Sequence, residues 1–235
     1  MEGKKKDFDG GEVILIDKPL TWTSFDVVKK LKFGLKVKKI GHAGTLDPLA
    51  TGLLVVCTGK KTKTIESIQA QQKEYVFRMV LGKSTPSVDL ETDFDAEAPF
   101  EHVNSEVTNN VLQSFLGEQM QVPPLFSAVK VNGKRAYELA RSGENAVLNA
   151  KLINVYEIEL LEFNLPSILI RVICSKGTYV RTLARDIALK LKTLAHISEL
   201  RRTKIGDFDV TEALKPTDFL AIHGLSGVKK VDEQL

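Results

Sequence analysis

Apolar residues follow two rhythms along this chain. Val13-Ile14-Leu15-Ile16 is a short unbroken run that must stop before Pro19, because proline supplies no ladder donor, and it predicts a buried strand. Across residues 73–81, Tyr75, Phe77, Met79 and Leu81 alternate with Val76, Arg78 and Val80, the period of a strand with two unlike faces. Tyr75 should sit near one end of it. Residues 155–163 and 168–174 read as two more strands around an Asn164-Leu165-Pro166 turn, and residues 119–122 as another that meets Pro123-Pro124.

Wider spacing marks the helices. Thr23 or Ser24 can cap a helix in which Phe25, Val28 and Leu31 form a packing face, with lysines on the other. Val111, Leu112 and Phe115 predict a helix closed by Gly117. Gly177-Thr178 opens another through Val180, Leu183, Ala184, Ile187 and Leu191. Strands cluster rather than alternating with helices, which predicts a mixed α+β fold, a largely antiparallel sheet flanked by helices, over a doubly wound parallel one. No repeat or Gly/Ser/Pro-rich linker divides the chain, so residues 1–235 are expected to form one domain. Within it, residues 123–150 read as an excursion: a strand over 127–131, a turn at Asn132-Gly133 and a short helix over 136–141.

Composition narrows the class. With 43% hydrophobic and 27% charged residues among 235, the chain can bury a core and is not disordered. No apolar run nears the ~20 residues that cross a bilayer. Cys57 and Cys174 are too few for a disulfide framework, so a cytoplasmic protein without a membrane partner is expected. A net charge of +3 from 33 basic and 30 acidic residues names no partner, but the charges segregate. Lys29, Lys30, Lys32, Lys36, Lys38 and Lys39 crowd one stretch, and Lys60, Lys61 and Lys63 another, while acids gather between residues 89 and 106. Such runs are either solvated faces or a basic surface that follows a phosphate backbone.

The chain has no nucleotide-binding glycine loop, no Gly-x-Ser-x-Gly and no His-Glu-x-x-His, and His42, His102, His196 and His223 lack metal-ligand spacing. No metal centre is expected. The unusual segment is residues 41–54, Gly-His-Ala-Gly-Thr-Leu-Asp-Pro-Leu-Ala-Thr-Gly-Leu-Leu. Its glycines permit tight turns, and Pro48 restricts Leu46-Asp47, so Asp47 is held on a stiff loop. Asp47 then either bonds its own turn or presents a carboxylate to a substrate as nucleophile or base.

Read whole, this segment resembles the catalytic loop of the TruB-type tRNA pseudouridine synthases. The resemblance continues in order through Lys73-Glu74-Tyr75, residues 123–130 (Pro-Pro-Leu-Phe-Ser-Ala-Val-Lys), residues 175–181 (Ser-Lys-Gly-Thr-Tyr-Val-Arg) and Leu200-Arg201-Arg202, and the opening Ile16-Asp17-Lys18-Pro19 also fits. It implies a pseudouridine-synthase-like fold and isomerisation of uridine 55 in the tRNA T-arm loop without a cofactor. The base leaves its ribose at N1, rotates and is rejoined through C5. Asp47 is the implied nucleophile, ionised at neutral pH if its pKa stays near about 3.9. Arg181 is the implied guanidinium partner that orients it; the alternative is a helix-surface cation. Extrusion of the base costs a few kcal/mol, part of which Tyr75 would recover by stacking, although a strand tyrosine is ordinarily a packed residue. Tyr179 and Leu200 would line the uracil pocket. His42 is either a satisfied loop histidine or a contact to the everted nucleotide.

By the same resemblance residues 123–150 are an RNA-binding insertion, with Lys130, Arg135 and Arg141 available to phosphates. The partner is then the tRNA T-arm rather than DNA, bound by a monomer, with affinity that falls steeply with salt. Only about thirty residues follow Arg202, so a C-terminal PUA domain is not expected. Thr85-Pro86-Ser87-Val88-Asp89 is an imperfect version of the family's threonine- and aspartate-rich stretch. A tRNA-folding chaperone and a guide-RNA-dependent enzyme of the dyskerin type are the competing expectations.

Overall fold

The computed structural model describes residues 7–126, 130–131, 134–135 and 148–224, the two short pairs by their backbone. Along the chain run β1 (Val13–Lys18), α1 (Ser24–Leu35), β2 (Ile40–His42), β3 (Ala50–Thr58), a 3-10 turn (Gly59–Thr64) and α2 (Ile65–Ala70). Then come β4 (Lys73–Leu81), β5 (Lys83–Ser84), β6 (Ala96–Glu97), α3 (Ser105–Gln113), β7 (Gly117–Gln121), β8 (Lys130–Val131) and β9 (Lys134–Arg135). The chain continues through β10 (Lys151–Asn164), β11 (Ser167–Cys174), α4 (Val180–Lys190), β12 (Ala195–Ile205), β13 (Phe208–Asp209) and α5 (Pro216–His223). The turn expected at Asn132-Gly133, the helix over 136–141 and Arg141 lie outside the described residues. The chain forms two compact units, Met1–Gln71 with Arg202–Leu235, and Gln72–Arg201.

In the first unit β1 pairs antiparallel with β3, from Val13 opposite Cys57 to Lys18 opposite Gly52. Five consecutive apolar residues, 53–57, sit in β3 because both of its faces are covered. Leu54 and Val56 pack with Val27, Leu31 and Leu35 of α1 and Phe219 of α5. Leu53, Val55 and Cys57 pack with Ile68 and Ile205. The Thr23 side chain accepts the Asp26 amide at 3.0 Å while the Asp26 carboxylate accepts the Thr23 amide at 2.8 Å, a capping box that fixes where α1 begins. Its buried face is Val27, Val28, Leu31, Gly34 and Leu35; Phe25, expected to pack, points to solvent, because the period of 3.6 carries it onto the lysine side.

The second unit is a meander-like antiparallel sheet in the order β4-β11-β10-β7. One face buries Phe77, Met79, Ile168, Ile170 and Val172 against Leu183, Ala184 and Ile187 of α4 and Leu112 of α3. Helix α3 stops at Gln113 with Ser114 as its cap, short of the expected Gly117, which instead opens β7 at φ 90°. The other face carries charge, with Arg171 bound to Glu74 and Glu157 and Arg78 to Glu162. The α+β class and the antiparallel sheet flanked by helices match the expectation from the pattern.

Candidate active site

The loop between β2 and β3 holds Asp47, and its backbone is gripped at every carbonyl from Gly44 to Pro48. Arg202, only 1% exposed, donates from Nη2 to Gly44 O at 3.1 Å and, more loosely, from Nη1 to Thr45 O at 3.5 Å. Its Nε donates to Leu53 O at 2.8 Å, so one guanidinium ties the loop to the strand that follows. Ser24 Oγ, in the first turn of α1, accepts the Leu46 amide at 2.9 Å and donates to Leu46 O at 3.2 Å. The Ala50 amide donates to Asp47 O at 3.0 Å and closes a tight turn. Pro48 O accepts from the Thr21 amide at 2.9 Å and from Lys18 Nζ at 3.2 Å. A loop with its acceptors fully used keeps its shape, and the half-buried Asp47 carboxylate keeps its place.

Gly52 shows why the sequence is glycine there. Its φ is +100°, and a Cβ would lie 2.3 Å from the Arg202 carbonyl oxygen, so the β3 backbone meets β12 at a distance no other residue permits.

Two buried cations surround this loop. Lys18 is 0% exposed, and its ammonium also bonds the carbonyls of Pro19 and Trp22. Burial pushes its pKa down to about 8; the negative charge of Asp47 opposes that shift and the Arg202 guanidinium adds to it. Lys18 therefore remains mostly protonated at neutral pH. His42 closes β2. Among the described residues its buried Nδ1 has no hydrogen-bond partner, and burial lowers its pKa, with the Gly44 backbone opposing and Arg202 contributing, which keeps the imidazole neutral. Among the described residues no three His, Cys, Asp or Glu side chains cluster as a metal site.

The other residues singled out from sequence lie in the second unit. Arg181, in the first turn of α4, is 4% exposed, which excludes the helix-surface alternative. It donates to Ser87 O at 3.0 Å and Phe126 O at 2.7 Å, and its Nε lies 3.7 Å from Asp89 Oδ2. The loop beneath it is knotted. Thr85 Oγ1 donates to Asp89 O at 2.6 Å, Ser87 Oγ bonds Thr92 Oγ1 at 2.9 Å, and Val88 is held at φ 63°, a conformation that strains a β-branched residue. Tyr179 caps α4, its amide donating to Gln121 Oε1 at 2.8 Å. Tyr75 stands opposite Val172 near the start of β4, and Tyr75 and Leu200 both lie partly buried against the core. Lys130 is placed in β8, opposite Arg135.

The structure therefore gathers Asp47 and His42 in one unit and Tyr75, Arg181, Tyr179 and Leu200 in the other. Lys18, Ser24, Arg202 and Asp89 have no site role from sequence alone; Ser24 is only a candidate helix cap there and Asp89 only part of the Thr85–Asp89 stretch. Lys18 and Arg202 stood inside recognised blocks, but a lysine or arginine in a string does not announce that it will be buried on carbonyls.

An acid held on a loop clamped at its carbonyls is placed to present a carboxylate to a bound substrate. A crystal structure of a Cbf5-Nop10-Gar1 complex matches with a TM-score of 0.71 and 35% identity over 91% of this chain. An H/ACA ribonucleoprotein bound to a substrate RNA containing 2′-deoxyuridine matches with a TM-score of 0.69 and 30% identity over 91%. The chain spans about 54% and 53% of those two solved chains. The chain belongs to the TruB family of pseudouridylate synthases. The N-terminal domain model of that family matches residues 32–180, and a tRNA pseudouridylate synthase B C-terminal domain model matches residues 181–233. Proteins named tRNA pseudouridine synthase B are 53% identical over 91% of this chain and 93% of the relative in Phocaeicola vulgatus, and 52% identical over 97% and 99% in Parabacteroides distasonis.

Proposed function

We propose that this chain converts uridine 55 in the T-arm loop of tRNA to pseudouridine, with Asp47 as nucleophile on an extruded uridine. The observation that carries the reading is the Asp47 loop itself, gripped at each carbonyl from Gly44 to Pro48 and flanked by two buried cations. A carboxylate held in that way reaches its target without first being ordered, which is where an enzyme of this kind gains rate. The identity of more than half to proteins named for tRNA, against 35% to the Cbf5-Nop10-Gar1 chain and 30% to the H/ACA ribonucleoprotein chain, favours tRNA over a guide-directed substrate.

In this proposal the Asp47 carboxylate adds to the nucleoside, the C1′–N1 bond breaks, the uracil turns, C1′ bonds to C5, and Asp47 is released as a free carboxylate. The proton lost from C5 is balanced by one gained at N1, so nothing is consumed and no cofactor takes part. Arg181 keeps Asp47 ionised, Tyr75 stacks on the everted base, and Tyr179 and Leu200 bound the uracil. His42, neutral, contacts the displaced nucleotide, and Lys130 meets phosphate from the 123–150 insertion. The whole chain acts as a monomeric catalytic domain in the cytoplasm, where tRNA is made.

The test is conversion of an unmodified T-arm hairpin by the purified protein with no guide RNA, partner protein or metal, read by nucleoside chromatography after digestion. Pseudouridine at the position of uridine 55 is expected. Conversion only after a guide and partner proteins are added would overturn the reading in favour of the dyskerin type, and binding without conversion would overturn it in favour of a chaperone.

A further inference from the structure

On α1 the side turned away from the core is not simply charged. Phe25 and Phe33 are 68% and 69% exposed, and at 100° per residue they share one arc of the helix with Lys29, Lys32 and Lys36. None of these three lysines forms an ion pair with a described carboxylate. The nearby acid, Asp26, is occupied at the helix start by the Thr23 amide and hydroxyl, at 2.8 and 2.6 Å. Two large aromatic rings left in water cost free energy, and lysines outside ion pairs leave positive potential along the same stripe, reduced only near Lys29 by Asp26. Rings with flanking cations are what a single-stranded or looped nucleic acid requires: a π-face for bases and charge for phosphates.

The stripe also begins in the right place. Ser24, the first residue of α1, holds both the amide and the carbonyl of Leu46, next to Asp47. From Phe25 to Phe33 the stripe then runs about 12 Å away from that loop. We propose that this outer face of α1 is a contact surface for the substrate RNA. Phe25 and Phe33 pack on bases or riboses flanking the target nucleotide, and Lys29, Lys32 and Lys36 neutralise its phosphates. The inference rests on Asp47 being the residue that meets the target uridine, since that contact fixes which RNA lies beside α1.

The experiment measures both binding of a fluorescent T-arm hairpin over a range of salt concentrations and its conversion, for the full chain. K29E/K32E is expected to weaken binding by at least tenfold at low salt and to flatten the dependence of log affinity on log salt by roughly 1.5, about 0.7–0.9 for each phosphate no longer neutralised. F25A/F33A is expected to weaken binding about tenfold with the salt dependence unchanged, because stacking is not a counterion effect. K29R/K32R retains the wild-type slope, and K192E, a single charge reversal at an exposed site in the other unit, retains wild-type affinity. Both pairs are exposed, so melting temperatures stay at the wild-type value. Wild-type affinity and slope in both double variants would overturn the surface. Wild-type binding with no conversion would instead overturn the functional reading and leave the surface standing, and absence of binding by the wild type would sink both.

Discussion

The sheet face of the second unit and the Asp47 loop of the first meet positive charge in different ways. On the charged sheet face of the second unit, cations are met by carboxylates: Arg171 by Glu74, Glu157 and Glu159, and Arg78 by Glu162 and Glu199. Around the Asp47 loop of the first, the buried cations Lys18 and Arg202 are met by backbone carbonyls, and the lysines of α1 are exposed. Neutralised charge stabilises a sheet face and has little field left for anything else. Charge held on neutral carbonyls keeps its field, and in this unit it surrounds the one acid proposed to do chemistry and lines a face suited to a polyanion.

Substitutions can break that contrast. The largest loss of stability is expected for R202A, about 3–5 kcal/mol in urea unfolding, because it strands buried carbonyls at Gly44, Thr45 and Leu53 as well as losing the bonds. R202K restores only part of it, since one ammonium cannot span the fork. If R202A folds with wild-type stability, the clamp is not what shapes the loop. S24A follows at about 1–2 kcal/mol, with kcat lowered more than KM because Leu46 is freed beside Asp47. R171A in the second unit is smaller, ~1 kcal/mol or less for a partly exposed network, with turnover unchanged. A loss in turnover there would erase the distinction between the units.

The smallest effect is on pH. His42 has a pKa below its unfolded value of about 6.5, so the unfolded chain takes up the proton first as the solution is acidified. Its contribution to stability is complete above about pH 6.5 and is lost below it. Urea midpoints of the wild type should therefore fall on acidification more than those of H42N; equal slopes would contradict a buried neutral imidazole.

The strands and helices with clean periodicity were legible because one face of each is buried: β4 has the expected bounds, and α1 starts at its capping box. The elements that the pattern missed lack that signal. Strand β12 carries Glu199, Arg201, Arg202 and Lys204 among its apolar residues, and α2 is six residues long with one buried side chain. The candidate site was legible as a string: Asp47, Tyr75 and Arg181 all stood in recognisable blocks. What the string withheld was support. Arg202 looks like any basic residue until β12 brings it to the Asp47 loop, and the Thr85–Asp89 stretch does not show that Asp89 meets Arg181 until the loop is folded.

The most direct measurement compares D47N with the wild type on the unmodified T-arm hairpin. The amide keeps the shape and loses the charge, so hairpin affinity should stay within a few-fold while pseudouridine formation falls below detection. Conversion by D47N at the wild-type rate would contradict the proposal that this clamped carboxylate is the nucleophile.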